Sequence, residues 1–334
     1  MSKKYNYFKN ADGLFECGHC GKVYKHDRGA RGHIKAVHGE NKSEPKVTIE
    51  KIQAKDATRE EKLSEMYEAV RDFNKSLKTL ENSKKNITFD VVGGFIVVVG
   101  ISDLHYGNVN VNMDYVDKLL EFVEKEERAY CFLNGDILDN WVEISPKGGV
   151  YEQTVPPEYQ KEIMVNKLKP IKHKILAIVD GNHEGRSSKA GERSPSEDMA
   201  EALDVPYLGQ GGRVNLNFGK FTYKMHIRHR FRYESSFNPC NANGRLVEQL
   251  DSEADIVAIG HKHDPAIEVR YKAGKQRSFM RFGSAMPSTN FSDSLGFDES
   301  PPVAPCVILS GKEFMHHPVI DIGVAKSYIR SVDK

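Results

Sequence analysis

The chain has 334 residues, 39% hydrophobic and 28% charged, with a formal net charge of +1. That length suits two domains, or one large domain with an appendage, and the composition is ordinary for a globular protein. The longest apolar run, "FIVVVGI" at 95–101, is far short of a membrane span, and the basic start "MSKKYNYFKN" lacks the apolar core of a secretory signal. An intracellular (cytoplasmic) location and no membrane partner are therefore expected. The charge is uneven: residues 1–48 hold ten Lys or Arg against five Asp or Glu, leaving +5 there and −4 elsewhere. A basic front on a slightly acidic body suits either a polyanion-binding arm or a solvated tail.

In chain order, residues 1–14 read as a loose lead-in. The stretch "FECGHCGKVYKHDRGARGHIKAVH" at 15–38 then sets Cys17 and Cys20 two residues apart, and His33 and His38 four apart, across a gap of twelve. Zinc takes thiolates and imidazoles tetrahedrally, so these four residues predict a small ββα zinc finger holding one structural Zn2+. Phe15, Tyr24 and Ala30 stand where its mini-core needs apolar groups, and Ala30 is small for that place. The positions that usually read bases, −1, 3 and 6, fall on His26, Gly29 and Gly32, and glycine has no side chain to offer a base edge. Lys25, Arg28, Arg31 and Lys35 can still neutralise phosphates, which position without specifying. The finger thus reads as a nucleic-acid grip with little sequence preference, or as a protein-binding module.

Residues 40–57, punctuated by Pro45, read as linker. Thr58 and Glu61 form a capping box for a helix over 58–82, with Leu63, Met66, Val70, Phe73, Leu77 and Leu80 spaced 3-4-3-4-3. A seam this short fits a helix docked on its own domain or a homodimer. From residue 95, strands at 95–101, 129–134, 174–180, 213–228 and 255–260, with more near 266–271 and 305–320, alternate with helical patterns. That alternation predicts an α/β catalytic domain. The expected organisation is a finger over 1–39, linker and helix over 40–90, and a catalytic domain over 91–334. Cys131 falls in the apolar run "AYCFL", and neither Cys240 nor Cys306 has partner spacing, so reduced thiols are expected.

Four motifs sit at predicted strand ends: "VVVGISDLHYG" with Asp103 and His105, "CFLNGDILDNW" with Asp136 and Asp139, "ILAIVDGNHEGR" with Asn182 and His183, and "ADIVAIGHKHD" with His261 and His263. The C-terminal edge of an α/β sheet is where sites form. Oxygen donors mixed with imidazoles, and no thiolate, suit Mn2+, Fe or Zn2+.

Over residues 90–320 the sequence resembles the calcineurin-like metallophosphoesterase superfamily. The resemblance implies a two-sheet β sandwich flanked by helices, with a dinuclear metal centre at one edge. Asp103, His105 and His263 would hold one metal; Asn182, His261 and a further histidine would hold the other; Asp136 would bridge them. Both His226 and His229 in "FTYKMHIRHRF" are open for that further place, and His229, at the strand's exit, is the choice made here. A pair of divalent metals can activate water and clamp phosphate oxygens. His183 suits a general acid, with Asp139 expected to orient its ring and favour its charge; Arg186, on the loop just beyond, reads equally as a phosphate contact or as a surface arginine. The protein Ser/Thr phosphatases of the superfamily read GDxxDRG, whereas here Asn140 and Trp141 follow Asp139, which lowers the case for a protein phosphatase. Residues 143–157 read as a loop beside the site, and the basic, aromatic stretch 230–245 as a groove lining or ordinary loop packing.

The leading expectation is a metal-dependent phosphodiesterase acting on nucleic acid, DNA more than RNA, with the finger as tether. One alternative is a phosphatase or phosphodiesterase for a small nucleotide whose finger binds a protein. Another is a non-catalytic DNA- or protein-binding adaptor.

Overall fold

The computed structural model describes residues 6–38, 59–83, 85–143, 145, 151–272, 274–287 and 301–333. The linker read over 40–57, its Pro45 and the capping Thr58 lie outside these residues. Two compact units emerge, Met1–Ala69 and Val70–Lys334.

In the first unit β1 (Tyr7–Lys9), β2 (Phe15–Cys17) and β3 (Val23–Tyr24) form an antiparallel sheet, followed by α1 (Asp27–His33) and one π turn, Ile34–His38. The lead-in is therefore not wholly loose, because β1 pairs with β2 and the Tyr7 ring meets Phe15 edge-on, centroids 5.9 Å apart. Ala30 is fully buried, and Ile34, a turn later, is buried as well. Gly29 has a packing reason: a Cβ there would stand 3.1 Å from the Tyr24 ring.

The helix α2 (Arg59–Ser83) crosses the division between the units. Its seam residues Leu63, Met66, Val70, Phe73 and Leu77 are all exposed. Val70, Phe73 and Leu77, which belong to the second unit, are thus not docked on that unit's core.

The second unit carries two sheets. Strands β4 (Asn86–Val91), β8 (Gly212–Phe218), β9 (Phe221–Arg228), β10 (Ile256–Ile259), β11 (Ala266–Lys272) and β12 (Lys275–Arg281) form one, in the order β11-β12-β10-β9-β8-β4. Strands β5 (Phe95–Ile101), β6 (Ala129–Asn134), β7 (Ile175–Val179), β13 (Cys306–Ser310) and β14 (His316–Val319) form the other, in the order β14-β13-β5-β6-β7. Between the sheets lies a dry core to which one side gives Val98, Phe132 and Ala177 and the other Leu216, Met225 and Ala258. Helices α3 (Met113–Lys125), α4 (Pro157–Leu168), α6 (Pro195–Leu203) and α8 (Ile322–Val332) supply buried side chains to a second core shared with the five-stranded sheet, and α7 (Asn241–Gln249) shares a third with the six-stranded sheet. The short α5 (Glu184–Lys189) follows β7 directly. The strands β5, β6 and β7 run parallel and are buried on both faces, which is why they read as continuous apolar runs.

The sandwich and its flanking helices agree with the expected fold. The run read as one strand over 213–228 is instead a hairpin, turned at Gly219 with φ +62°. The strands β4 and β12 were not foreseen; β4 alternates half-buried and exposed residues and so lacks a long apolar run. Cys131, Cys240 and Cys306 are buried free thiols, and no disulfide occurs among the described residues. None of the described helices is long and apolar enough to cross a membrane.

One polar knot pins this sheet near α7. The buried Asp251 accepts from Arg213 Nε at 3.0 Å and from Arg213 Nη2, and lies 2.8 Å from His226 Nδ1. Burial opposes its charge, but His226 and Arg213 outweigh burial and hold the carboxyl far below its usual range. Asp251→Asn is expected to lower stability at neutral pH by roughly 1–3 kcal/mol, the scale of hydrogen bonds to charged groups. A carboxyl depressed in the folded state stabilises above its unfolded pKa, so the difference should shrink as pH falls below about 4. Urea melts of both proteins from pH 7 downward check this, and a difference that grows toward acid would contradict the ion-pair account.

Candidate metal centre and active site

The residues singled out in the second unit meet at the C-terminal ends of five parallel or parallel-paired strands. Asp103 and His105 follow β5, Asp136 and Asp139 follow β6, Asn182 and His183 follow β7, His229 follows β9, and His261 and His263 follow β10. Local backbone shows how tightly the ends are turned: Asp103, His105, Asp136, Asn140, His261 and His263 all adopt positive φ, between +44° and +77°. Non-glycine residues hold such angles only where their surroundings enforce them.

Three groups of donor atoms lie within 4.8 Å of one another: Asp103, His105 and His263; His105, Asp136 and His183; and Asp136, His229 and His261. His105 Nε2 and His263 Nε2 point at each other 3.0 Å apart, with His263 Nε2 3.3 Å from Asp103 Oδ1. His229 Nε2 lies 3.1 Å from Asp136 Oδ2 and 3.2 Å from Asn182 Oδ1. His226, by contrast, is engaged with Asp251 and stands in none of these groups. His105 and Asp136 each belong to two of the groups, so the three form one chain of donors.

The electrostatics fit a cation site. Burial works against charge on Asp103 and Asp136, yet His229 and the other imidazoles hold both carboxyls below their usual range. Burial likewise disfavours a proton on His229, but Asp136 and Asp103 raise its pKa to about 10. His105 and His261 have no such dominance of carboxylates: burial and neighbouring imidazoles push His105 well down and His261 to about 4. The buried His105 Nδ1 and Asp139 Oδ1 have no hydrogen-bond partner. Buried carboxylate and amide oxygens converging with imidazoles, two of which burial disposes to neutrality, make a donor set of the kind that fits divalent ions.

Beside this cluster His183 is held differently from expectation. Its Nδ1 lies 2.6 Å from the backbone carbonyl of Asp139, while the Asp139 carboxylate stays 3.6 Å away and accepts from Asn108 Nδ2 at 3.3 Å. The carbonyl, not the carboxylate, makes the close contact that orients the ring. Nor is the charged form favoured on balance: burial lowers the His183 pKa despite Asp136. Burial also raises the pKa of Asp139 to about 6. Arg186 is no loose surface residue. It donates to the Asp139 carbonyl at 3.1 Å, lies 2.9 Å from His183 Nε2, and stacks 4.4 Å above the Trp141 ring.

Glu184 escaped the sequence reading. Fully buried, its carboxylate accepts from Asp136 N, Ile137 N, Leu138 N and Gly181 N at 2.8–3.1 Å, tying the loop after β6 to the loop after β7. Burial, reinforced by the Asp136 charge, raises its pKa to about 7. These loops touch so closely that a Cβ on Gly181 would lie 2.0 Å from Asp136 Oδ1. An acid after "GNH" at a helix start looks like ordinary helix-dipole compensation, so no local signal marks it.

Residues 96–274, more than half of the chain, match Metallophos, the calcineurin-like phosphoesterase family. The chain belongs to the calcineurin-like phosphoesterases. Membership makes it a metal-dependent phosphoester hydrolase and implies a dinuclear divalent-metal site. Among solved structures, a nuclease, MPE of Pseudomonas putida, is similar at 13% identity over 66% of this chain and 87% of that one, with a TM-score of 0.31. The calcineurin-like phosphoesterase YfkN from Bacillus subtilis is similar at 11% identity over 65% and 85%, TM-score 0.37. Vps29 from Entamoeba histolytica, complexed with Zn2+, is similar at 15% identity over 67% and 98%, TM-score 0.35. These are distant likenesses. No curated protein sequence matches the chain.

In the first unit, Cys17, Cys20, His33 and His38 also bring their donor atoms within 4.8 Å of one another. Cys20 Sγ is 3.1 Å from His33 Nε2 and 3.4 Å from His38 Nε2. This mixture of thiolates and imidazoles suits a closed zinc site. Lys25, Arg28, Arg31 and Lys35 are exposed, with Arg31 engaged by Asp27 on the same helix.

Glu184→Gln tests the loop tie, since an amide keeps one accepting oxygen but cannot serve four donors. Supporting contacts of this kind typically carry 10–100-fold in metal affinity or activity. Calorimetric titration with Mn2+ is expected to show a weakening of about that size in a folded protein, and unchanged affinity would make Glu184 merely structural.

Proposed function

We propose that the chain is a nuclease, a dinuclear-metal phosphodiesterase whose zinc finger tethers it to DNA. The observation that carries this reading is one chain combining the phosphoesterase donor cluster with a second, sulfur-containing cluster flanked by exposed Lys25, Arg28 and Lys35. In this reading Asp103, His105 and His263 hold one ion, Asn182, His229 and His261 hold the other, and Asp136 serves both. Mn2+ is the favoured pair, with Fe or Zn2+ as substitutes, and one structural Zn2+ sits in the finger. Bound there, divalent ions supply Lewis acidity toward water and the phosphate oxygens.

The remaining residues handle the leaving group. With Nδ1–H donating to the Asp139 carbonyl to fix the ring, His183 takes up a second proton at Nε2 once the anionic phosphate draws Arg186 away and offsets its burial, and delivers that proton to the departing oxygen. Arg186 meets a phosphate oxygen by giving up its 2.9 Å contact with that same Nε2, while the Trp141 face keeps it in place. The asparagine and tryptophan after Asp139 replace the arginine expected of a protein Ser/Thr phosphatase, which favours another substrate.

A natural alkoxide leaving group needs a proton, whereas p-nitrophenolate does not. His183→Gln is therefore expected to slow DNA cleavage by about 10²–10⁴-fold and bis-p-nitrophenyl phosphate hydrolysis far less, with metal content unchanged. Equal losses on both substrates would remove His183 from the acid role.

The finger adds local concentration rather than sequence choice. Removing residues 1–50 should reduce DNA cleavage most at moderate salt and leave the small diester untouched. Equal DNA cleavage with and without the arm would assign the finger to a protein partner. The exposed Leu63, Met66, Val70, Phe73 and Leu77 of α2 support a homodimer through this helix, which the shortened chain retains. Sedimentation of both proteins should give a dimer, and a monomer at every concentration dismisses that partner.

A further inference from the structure

The segment after β9 begins at His229, in the donor cluster, and runs to α7 as "RFRYESSFNPC". It is tied down at several points. Glu234 Oε2 lies 3.8 Å from His261 Nε2, Asn241 Nδ2 donates to the Tyr233 carbonyl at 2.7 Å, and Ser235 Oγ accepts from Phe237 N and Asn238 N at 3.3 and 3.2 Å. Tyr233 is held at φ +72°, a conformation a bulky residue adopts only under constraint. Yet this anchored segment places its aromatic rings in solvent: Phe237 is 103% exposed and Tyr233 47%.

Guanidinium groups lie near two of the segment's rings, the half-buried Phe231 and the exposed Tyr233. The Arg232 guanidinium sits 5.3 Å from the Tyr233 centroid and 5.9 Å from that of Phe231, and Arg245 lies 5.8 Å from Tyr233. Arg228 lies 5.8 Å from Phe231. The one carboxylate in the segment, Glu234, is turned toward His261. Exposed ring faces interleaved with guanidinium groups, on a rigid loop that starts at the metal donors, match a chain of alternating bases and phosphates. Base faces are free to stack only when the strand is unpaired.

We infer that the loop Arg230–Asn241, with Arg245, is a stacking platform for single-stranded nucleic acid beside the metal centre. The inference rests on the nuclease reading above and deepens it by naming the form of the substrate. Phe237 and Tyr233 take bases, Arg232 and Arg245 exchange their contacts with Gln249 and Glu248 for neighbouring phosphates, and the strand runs from the platform into the cluster beyond His229. A duplex, with its bases already stacked on each other, gains only the phosphate contacts.

The test measures fluorescence anisotropy of labelled, cleavage-resistant phosphorothioate oligo-dT and of a blunt phosphorothioate duplex with the full-length metal-loaded protein. Stacking contributes about 1–3 kcal/mol per base, so Tyr233→Ala/Phe237→Ala should weaken single-strand binding at least about tenfold while duplex binding changes little. Phe237→Trp should keep single-strand affinity, and its indole fluorescence should quench on binding. Unchanged single-strand affinity in the double variant, an equal loss on both forms, or no quenching of the tryptophan would overturn the platform. Lack of single-strand binding by the wild type would do so too. If the wild type hydrolyses bis-p-nitrophenyl phosphate but cleaves no nucleic acid, the nuclease reading itself fails. If it cleaves DNA while the double variant loses no single-strand affinity, the platform alone fails. Capture of a peptide rather than a strand by the exposed rings would likewise reject it.

Discussion

Two carboxylates, Asp103 and Asp136, are almost wholly removed from solvent at one edge of a β sandwich. A buried charge is costly unless it is paired, and the catalytic unit is arranged around meeting that cost. Imidazoles from other strand ends supply compensation, His229 most of all. The parallel strands deliver these side chains to the same edge, and the apolar core between the sheets keeps the edge in register. Glu184 adds a third buried carboxylate, satisfied by four backbone donors, that joins the two loops carrying Asp136 and Asn182. Fold and site are therefore one construction: loosening the sheets loosens the donors.

Much of this was legible in sequence because each site motif follows a fully buried strand. Runs such as "FIVVVGI" declare themselves by length and apolarity, and the polar residues that interrupt them fall at the sheet edge. The choice of His229 over His226 used the same logic: His226, still within β9, pairs with Asp251, while His229 lies just past the strand's end. Less was legible where function runs through backbone atoms. No pattern of residue types announces that the carbonyl of Asp139, rather than its carboxylate, lies nearest His183. Half-exposed β4 lacked an apolar run, and Gly219 alone was too small a signal to split β8 from β9. The seam on α2 has a period that fits a docked helix and a paired one equally, so spacing could not decide between them.

The two metal-binding arrangements differ in a way their donors explain. Sulfur and nitrogen donors in the first unit suit a small closed zinc site, which in the proposed reading would stand in for the large core a short segment cannot build. In the second unit the donors are oxygen and nitrogen, gathered at the edge of an extensive apolar core. In the proposed reading one cluster would serve folding and the other chemistry, and their chemical hardness would keep the roles apart.

Ownership of the catalytic cluster is divided between the sheets: β5, β6 and β7 from one carry Asp103, His105, Asp136 and Asn182, and β9 and β10 from the other carry His229, His261 and His263. The cluster is thus a gauge of how the two layers are aligned. A misplacement of about 1 Å can cost 100-fold in rate, far more than the same slide costs in packing. Substitutions deep between the sheets, remote from any donor, can therefore present as lesions of turnover in a protein that still melts cooperatively.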